Sequence, residues 1–107
     1  MFEKQVEIGY LLDFYGELLT ERRRTLLDMD YNEDMSLSEI SAALSITRQG
    51  ARDLIKKAGD ELLQYEEKLG AARKFREIES CAEKAEGLLP DGEVKELIRK
   101  IRQEIKS

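Results

Sequence analysis

The chain has 107 residues, 41% hydrophobic and 38% charged, which fits one modest globular core and excludes disordered and membrane-spanning classes. With no His, one Cys and neither a Walker A nor a dinucleotide glycine pattern, it lacks the usual general base, an intrachain disulfide partner and a conventional zinc set, so no enzyme activity, cofactor or metal is expected. Its 18 basic and 23 acidic residues give a net charge of -5, whose field repels nucleic acid at long range and excludes a non-specific polyanion-binding coat.

The abundance of Ala, Leu, Glu, Lys and Arg, with a single Pro, predicts an all-α fold. No run approaches the roughly 18 apolar residues of a membrane span, and the start MFEKQVE lacks a signal-peptide pattern, so a cytoplasmic protein without membrane insertion is expected. A first amphipathic helix is predicted from about Lys4 to Tyr15, with Val6, Ile8, Tyr10, Leu11, Leu12, Phe14 and Tyr15 forming a broad apolar surface that ends at Gly16. Thr20 is an N-cap candidate for a second helix, about Glu21 to Asp30, with Leu26 and Leu27 facing inward. Arg22, Arg23 and Arg24 oppose the dipole at its start, a solvated cluster with some anion affinity. Asn32, Glu33 and Asp34 form a loop, and Ser36 with Glu39 makes a capping box for a third, short helix from Leu37.

Thr47 caps a fourth helix opening at Arg48. Ala51, Ile55, Ala58, Leu62, Tyr65, Leu69 and Ala72 recur at alternating spacings of four and three, a heptad seam. Gly70 is a candidate break, yet Phe75, Ile78, Ala82, Ala85 and Leu89 continue the stripe, and helix is expected to about Leu88. Cys81 is read as a small packing residue on it. Pro90, Asp91 and Gly92 make a turn, and Val94, Leu97, Ile98, Ile101 and Ile105 mark the apolar face of a last helix, closing an αα-hairpin.

Leu37 to Lys57 have the layout of a helix-turn-helix: a capped short helix, Ala42 and Ala43 small enough for close approach, a turn at Ser45 and Ile46, then a second helix opening with Thr47, Arg48 and Gln49. In such a motif the second helix lies in the major groove and its N-terminal residues reach base edges. Arg pairs in a bidentate way with guanine and Gln with adenine, so Arg48 and Gln49 are the candidate readers, and Thr47, Arg52, Lys56 and Lys57 the candidate phosphate contacts. Between Ser45 and Lys57 four basic residues stand against Asp53 alone, the local basic patch of an acidic chain. The alternative is a solvated helix face paired locally with Asp53 and Glu61.

These residues resemble the YlxM proteins, small bacterial helix-turn-helix proteins similar to region 4 of sigma factors. The resemblance rests on Leu12-Asp13-Phe14-Tyr15-Gly16-Glu17-Leu18-Leu19-Thr20, Ser36-Leu37-Ser38-Glu39-Ile40, Thr47-Arg48-Gln49 with Asp53 and Ile55-Lys56-Lys57, and Tyr65-Glu66-Glu67-Lys68-Leu69. Ala51 and Arg52 stand where that family commonly has an aliphatic residue and Tyr, which adds a charge to the candidate reading face. The resemblance implies a regulatory protein, and the usual neighbourhood of its gene implies a part in the signal recognition particle pathway.

The expected organisation is a helix-turn-helix domain over 1–70 with an extended recognition helix, and a C-terminal helical extension over 71–107 that packs on the same unit or on a dimer partner. Ala51 to Ala58 suit packing within one chain, whereas Leu69, Phe75, Ile78 and Leu89 call for a further partner. A homodimer presenting two recognition helices to neighbouring DNA half-sites follows. The competing expectation is an adaptor that binds a protein or RNA component of the targeting pathway through Tyr10, Phe14 and Tyr15 or through the C-terminal hairpin.

Overall fold

The computed structural model describes residues 2–106, with side chains from Glu7 to Lys106. The Val6 side chain of the first predicted stripe lies outside the described residues. Among the described residues the structure is helical and contains no strand. Two compact units divide the chain, Met1–Leu69 and Gly70–Ser107.

In the first unit, helix α1 spans Phe2–Tyr15. It buries Ile8, Leu11, Leu12 and Tyr15, the i, i+3, i+4, i+7 pattern of an inward face, while Tyr10 and Phe14 flank it half-buried. A 3-10 turn over Gly16–Leu18 leads to Thr20, whose extended backbone and hydroxyl, 3.3 Å from the Arg23 amide, open α2 over Glu21–Leu27. The predicted extension of this helix to Asp30 is altered. From Asp28 to Asn32 the backbone widens into a π-helical turn, its Glu33 amide donating to the Asp28 carbonyl at 2.9 Å. This turn sets Met29 against the core below α3. It also half-buries Asp30, and that burial, together with the charge of Asp34, holds the Asp30 carboxyl above its ordinary range.

Helix α3, Leu37–Leu44, begins with the predicted capping box: Ser36 Oγ accepts from the Glu39 amide at 3.1 Å and Glu39 Oε1 from the Ser36 amide at 2.8 Å. It ends in a Schellman turn. Ser45 adopts a left-handed conformation, φ 56°, while the Ile46 amide donates to Ser41 O at 3.0 Å and the Ser45 amide to Ala42 O at 3.3 Å. Ala42 and Ala43, expected at the close approach, are exposed instead. The inward face of so short a helix runs through Leu37, Ile40, Ser41 and Leu44, so the small buried residue is Ser41, its hydroxyl satisfied by Ser38 O at 2.9 Å.

Helix α4, Arg48–Leu69, packs on α1, α2 and α3. Ala51, Ala58 and Leu62 have no solvent exposure. Below its first turns, Leu26, Ile40 and Ala51 form a cluster enclosed by Met29, Met35, Leu37, Leu44, Ile46, Leu54 and Ile55. Gly59 brings α1 close, since a Cβ there would sit 3.7 Å from Ile8 Cδ1. Each large apolar side chain fully buried here contributes about 1.5–3 kcal/mol. The seam is thus consumed inside the unit as far as Tyr65, which is half-buried, and Leu69 is 54% exposed.

Helix reaches the expected Leu88 but is interrupted at Gly70, the candidate break. Gly70 takes φ 60°, ψ 14°, a left-handed conformation that ends α4 and is cheap only for glycine. In the second unit, α5 covers Ala71–Leu88 and α6 Glu93–Lys106, packed as an antiparallel hairpin across a turn at Leu89–Gly92. Ile98 and Ile105 of α6 and Ala85 of α5 are half-buried, and ionic contacts tie the two helices together. Arg102 Nη1 donates to Glu86 Oε1 at 2.8 Å, and its Nε and Nη2 donate to Glu79 Oε1 at 3.1 and 3.0 Å. Arg99 joins Glu86 and Glu96, and these guanidiniums, Arg102 foremost, hold the Glu86 carboxyl below its ordinary value. Cys81 does not pack inward as expected; it is exposed, and its neighbour Ala82 takes the buried position.

Candidate nucleic-acid interface

The turn after α3 aims the start of α4 at solvent. Thr47 Oγ1 accepts from the Gly50 amide at 2.9 Å, so the predicted cap is formed and the residues just beyond it are held in helix from the first turn. Thr47, Arg48, Gln49, Arg52, Lys56 and Lys57 are all exposed. Since Ala51, Ala58 and Leu62 fix the inward side, a helix turning about 100° per residue places Gln49, Asp53, Lys56 and Asp60 on the outermost line. Arg52 lies to one side of that line, and Arg48 further round on the same side, toward the inward face. Lys57 falls on the other, at the rim of an open polar cleft of about 510 Å³ that it shares with Arg23, Asp60, Glu61, Gln64 and Tyr65.

The pairings divide these residues further. Lys56 Nζ lies 3.3 Å from Asp60 Oδ2, an exposed ion pair worth little in water. Gln49 Nε2 donates to Asp53 Oδ1 at 2.9 Å. Among the described residues Arg48 and Arg52 have no ion-pair partner, and the local neutralisation expected from Asp53 and Glu61 is not made: Asp53 is engaged by Gln49, and Glu61 by Arg23 and Tyr65. Arg48 and Arg52 therefore offer free guanidiniums at the N-terminal end of a 22-residue helix, where backbone amides and the helix dipole also favour an anion.

Sequence reasoning missed the neighbouring network in the cleft. Tyr65 Oη donates to Glu61 Oε2 at 2.8 Å, and that carboxylate pushes the Tyr65 hydroxyl above its ordinary value of 10.0. Arg23 pairs with the other Glu61 oxygen and so leaves the arginine triplet, while Arg22 and Arg24 remain exposed. The three partners are separated by as much as 42 positions in the chain, and no local spacing announces them. The aromatic residues near the N-terminus are likewise used internally: Tyr15 is buried, packs edge-on to Phe14 with centroids 4.8 Å apart, and donates to Glu66 at 2.6 Å. Among the described residues no group of acidic or sulfur side chains is arranged to hold a metal, and no helix is long and apolar enough to cross a membrane.

Residues 2–104 match the family described as "Putative helix-turn-helix protein, YlxM / p13 like". A UPF0122 protein of Oceanobacillus iheyensis is 41% identical over 102 residues, which cover 95% of this chain and 97% of that one. A UPF0122 protein of Listeria innocua is 36% identical over 107 aligned positions, with 95% and 97% coverage. One of Caldanaerobacter subterraneus is 50% identical over 74 residues, 69% of this chain and 63% of its own. With a capped short helix, a left-handed turn and an exposed basic second helix all in place, the chain belongs to the UPF0122 family of YlxM/p13-like helix-turn-helix proteins.

Proposed function

We propose that this protein is a cytoplasmic DNA-binding regulator without catalytic activity, whose α4 enters the major groove by its N-terminal turns. Arg48 and Gln49 contact base edges, Thr47, Arg52 and Lys56 contact phosphates, and Lys57 reaches the backbone from the far flank. The observation that carries this reading is the pair of guanidiniums, Arg48 and Arg52, without an ion-pair partner among the described residues, at the exposed start of a helix seated on a helix-turn-helix core. A net charge of -5 confines any such contact to this patch, so binding is selective rather than a general affinity for polyanions. Two protomers, related so that their α4 helices stand about 34–36 Å apart, would read a two-part site.

Selection of bound fragments from a sheared bacterial genome at about 0.15 M salt tests this, with the Arg48→Ala, Gln49→Ala double variant alongside. A shared motif enriched by the unaltered protein alone supports the reading, and its half-site spacing reports the dimer. No enrichment by either protein overturns it. Sedimentation as a monomer at micromolar concentration, with a melting temperature independent of concentration, removes the two-protomer arrangement.

A second reading has its own observation. Phe75, Ile78, Val94, Leu97 and Ile101 are each 40–59% exposed on the α5–α6 hairpin, an apolar surface suited to another protein. The family resemblance suggests a component of the signal recognition particle pathway as that protein, with the chain as an adaptor. Such binding would tolerate salt and Arg48→Ala, whereas DNA binding would tolerate neither.

A further inference from the structure

The outermost line of α4 carries a polar pair whose chemistry is more specific than its charge. Gln49 Nε2 donates to Asp53 Oδ1 at 2.9 Å, one helical turn apart. An ionised carboxylate only accepts hydrogen bonds, so the Gln49 amide must meet it with nitrogen rather than oxygen. One N–H is thereby engaged, and the carbonyl oxygen and the second N–H remain, an acceptor beside a donor. Adenine presents the complement in the major groove, an N6 amino donor beside the N7 acceptor. An unrestrained glutamine turns its amide over at little cost and offers donor and acceptor in either order. Neither Arg48 nor Arg52 pairs with Asp53 among the described residues, so the carboxylate is left to the amide. In water an exposed bond of this kind restrains little, but docking into a groove strips the competing solvent from both groups.

We propose that Asp53 is a positioning residue that locks the Gln49 amide and so sets a preference for adenine at the base pair Gln49 meets. This deepens the DNA-binding reading and rests on it. The negative charge adds a second restraint, because it disfavours acceptor-rich edges and phosphate close to Gln49.

The test measures binding of full-length protein to the genomic site it selects and to that site changed at each base pair in turn, for the unaltered protein, Gln49→Ala, Asp53→Ala and Asp53→Asn. Thermal melting is followed in parallel. Gln49→Ala identifies the position it governs. Asp53→Ala should bind arbitrary DNA as well as or better than the unaltered protein, having lost a negative charge, while its adenine preference at that one position falls about fivefold or more. Asp53→Asn loses the same charge but keeps a carbonyl that accepts from Gln49, and should retain most of the preference. A melting temperature unchanged in all variants separates this from a defect in folding. The proposal is overturned if Asp53→Ala keeps the preference, if the preference falls evenly at every position, if Asn behaves as Ala does, or if the position Gln49 governs is not adenine. Failure of the unaltered protein to select any site overturns the DNA-binding reading itself, and this inference with it.

Discussion

Replacing Leu62 by alanine removes three carbons from a side chain with no solvent exposure, held by α4 against the other helices of the Met1–Leu69 unit. At about 0.8 kcal/mol per buried methylene the transfer loss is about 2.4 kcal/mol. The cavity left among well-packed neighbours raises the cost to about 3–4 kcal/mol. Leu69, one heptad further along the same helix, is 54% exposed, so the same replacement loses about 1 kcal/mol and seals no cavity. An unfolding entropy of roughly 2 cal/mol/K per residue makes 1 kcal/mol worth about 5 °C for a chain of this length. Melting followed by helical circular dichroism should therefore drop by about 15 °C for Leu62→Ala and about 5 °C for Leu69→Ala. Equal shifts, or a shift under about 5 °C for Leu62→Ala, would refute the conclusion that the seam is spent inside the unit before it reaches Leu69.

Ser45→Gly should raise stability by about 0.5 kcal/mol in denaturant titration, because it relieves a left-handed residue at the end of α3, while Gly70→Ala, which imposes the same strain after α4, should lower it by about 1 kcal/mol. Bonds from Ser36 hold the Glu39 carboxyl below its ordinary value of 4.5, so its contribution is present above that value and is lost as pH falls through the lower, folded value. Acid titration of stability should show this loss, and Glu39→Gln, which still accepts from the Ser36 amide, should flatten it. If Arg52 contacts a phosphate, Arg52→Ala should reduce the slope of log binding constant against log salt by about 1, with little change in which bases are preferred. An unchanged slope would remove Arg52 from the interface.

What could be read from the chain in advance was chiefly local. Thr20, Ser36 and Thr47 were recognisable as caps because the bond each makes closes within three residues, and the Ser36–Glu39 box is complete in four. The exposed basic start of α4 followed from the same cap and from Ala51 at the seam. Features that depend on phase or on distant partners did not. An eight-residue helix carries too few turns to fix its inward side, and a slip of one residue moved the small contact from Ala42 to Ser41. The π-helical turn at Asp28–Asn32 brings Met29 against a core whose other members, Ile40 and Ala51 among them, lie well beyond it in the chain, so local spacing does not announce it. Gly70 was a candidate break by residue type, but it sits inside an unbroken apolar stripe, so periodicity left open whether helix continues through it. Lys57 counted with the basic cluster by sequence, yet helical rotation carries it to the cleft beside Glu61.

The reliance of the α5–α6 hairpin on carboxylate–guanidinium contacts bears on how the chain breathes. Ala72 and Ala82 are the fully buried apolar residues of α5, α6 has none among the described residues, and Val94, Leu97 and Ile101 are already half-exposed, so opening this pair exposes less new apolar surface than opening α4 would. Its amides should exchange with solvent deuterium well before those of α4, in a partial opening that leaves the helix-turn-helix folded. Added salt should quicken that exchange by weakening the Glu79, Glu86, Arg99 and Arg102 cluster, and leave the amides over Leu26, Ile40 and Ala51 as slow as before.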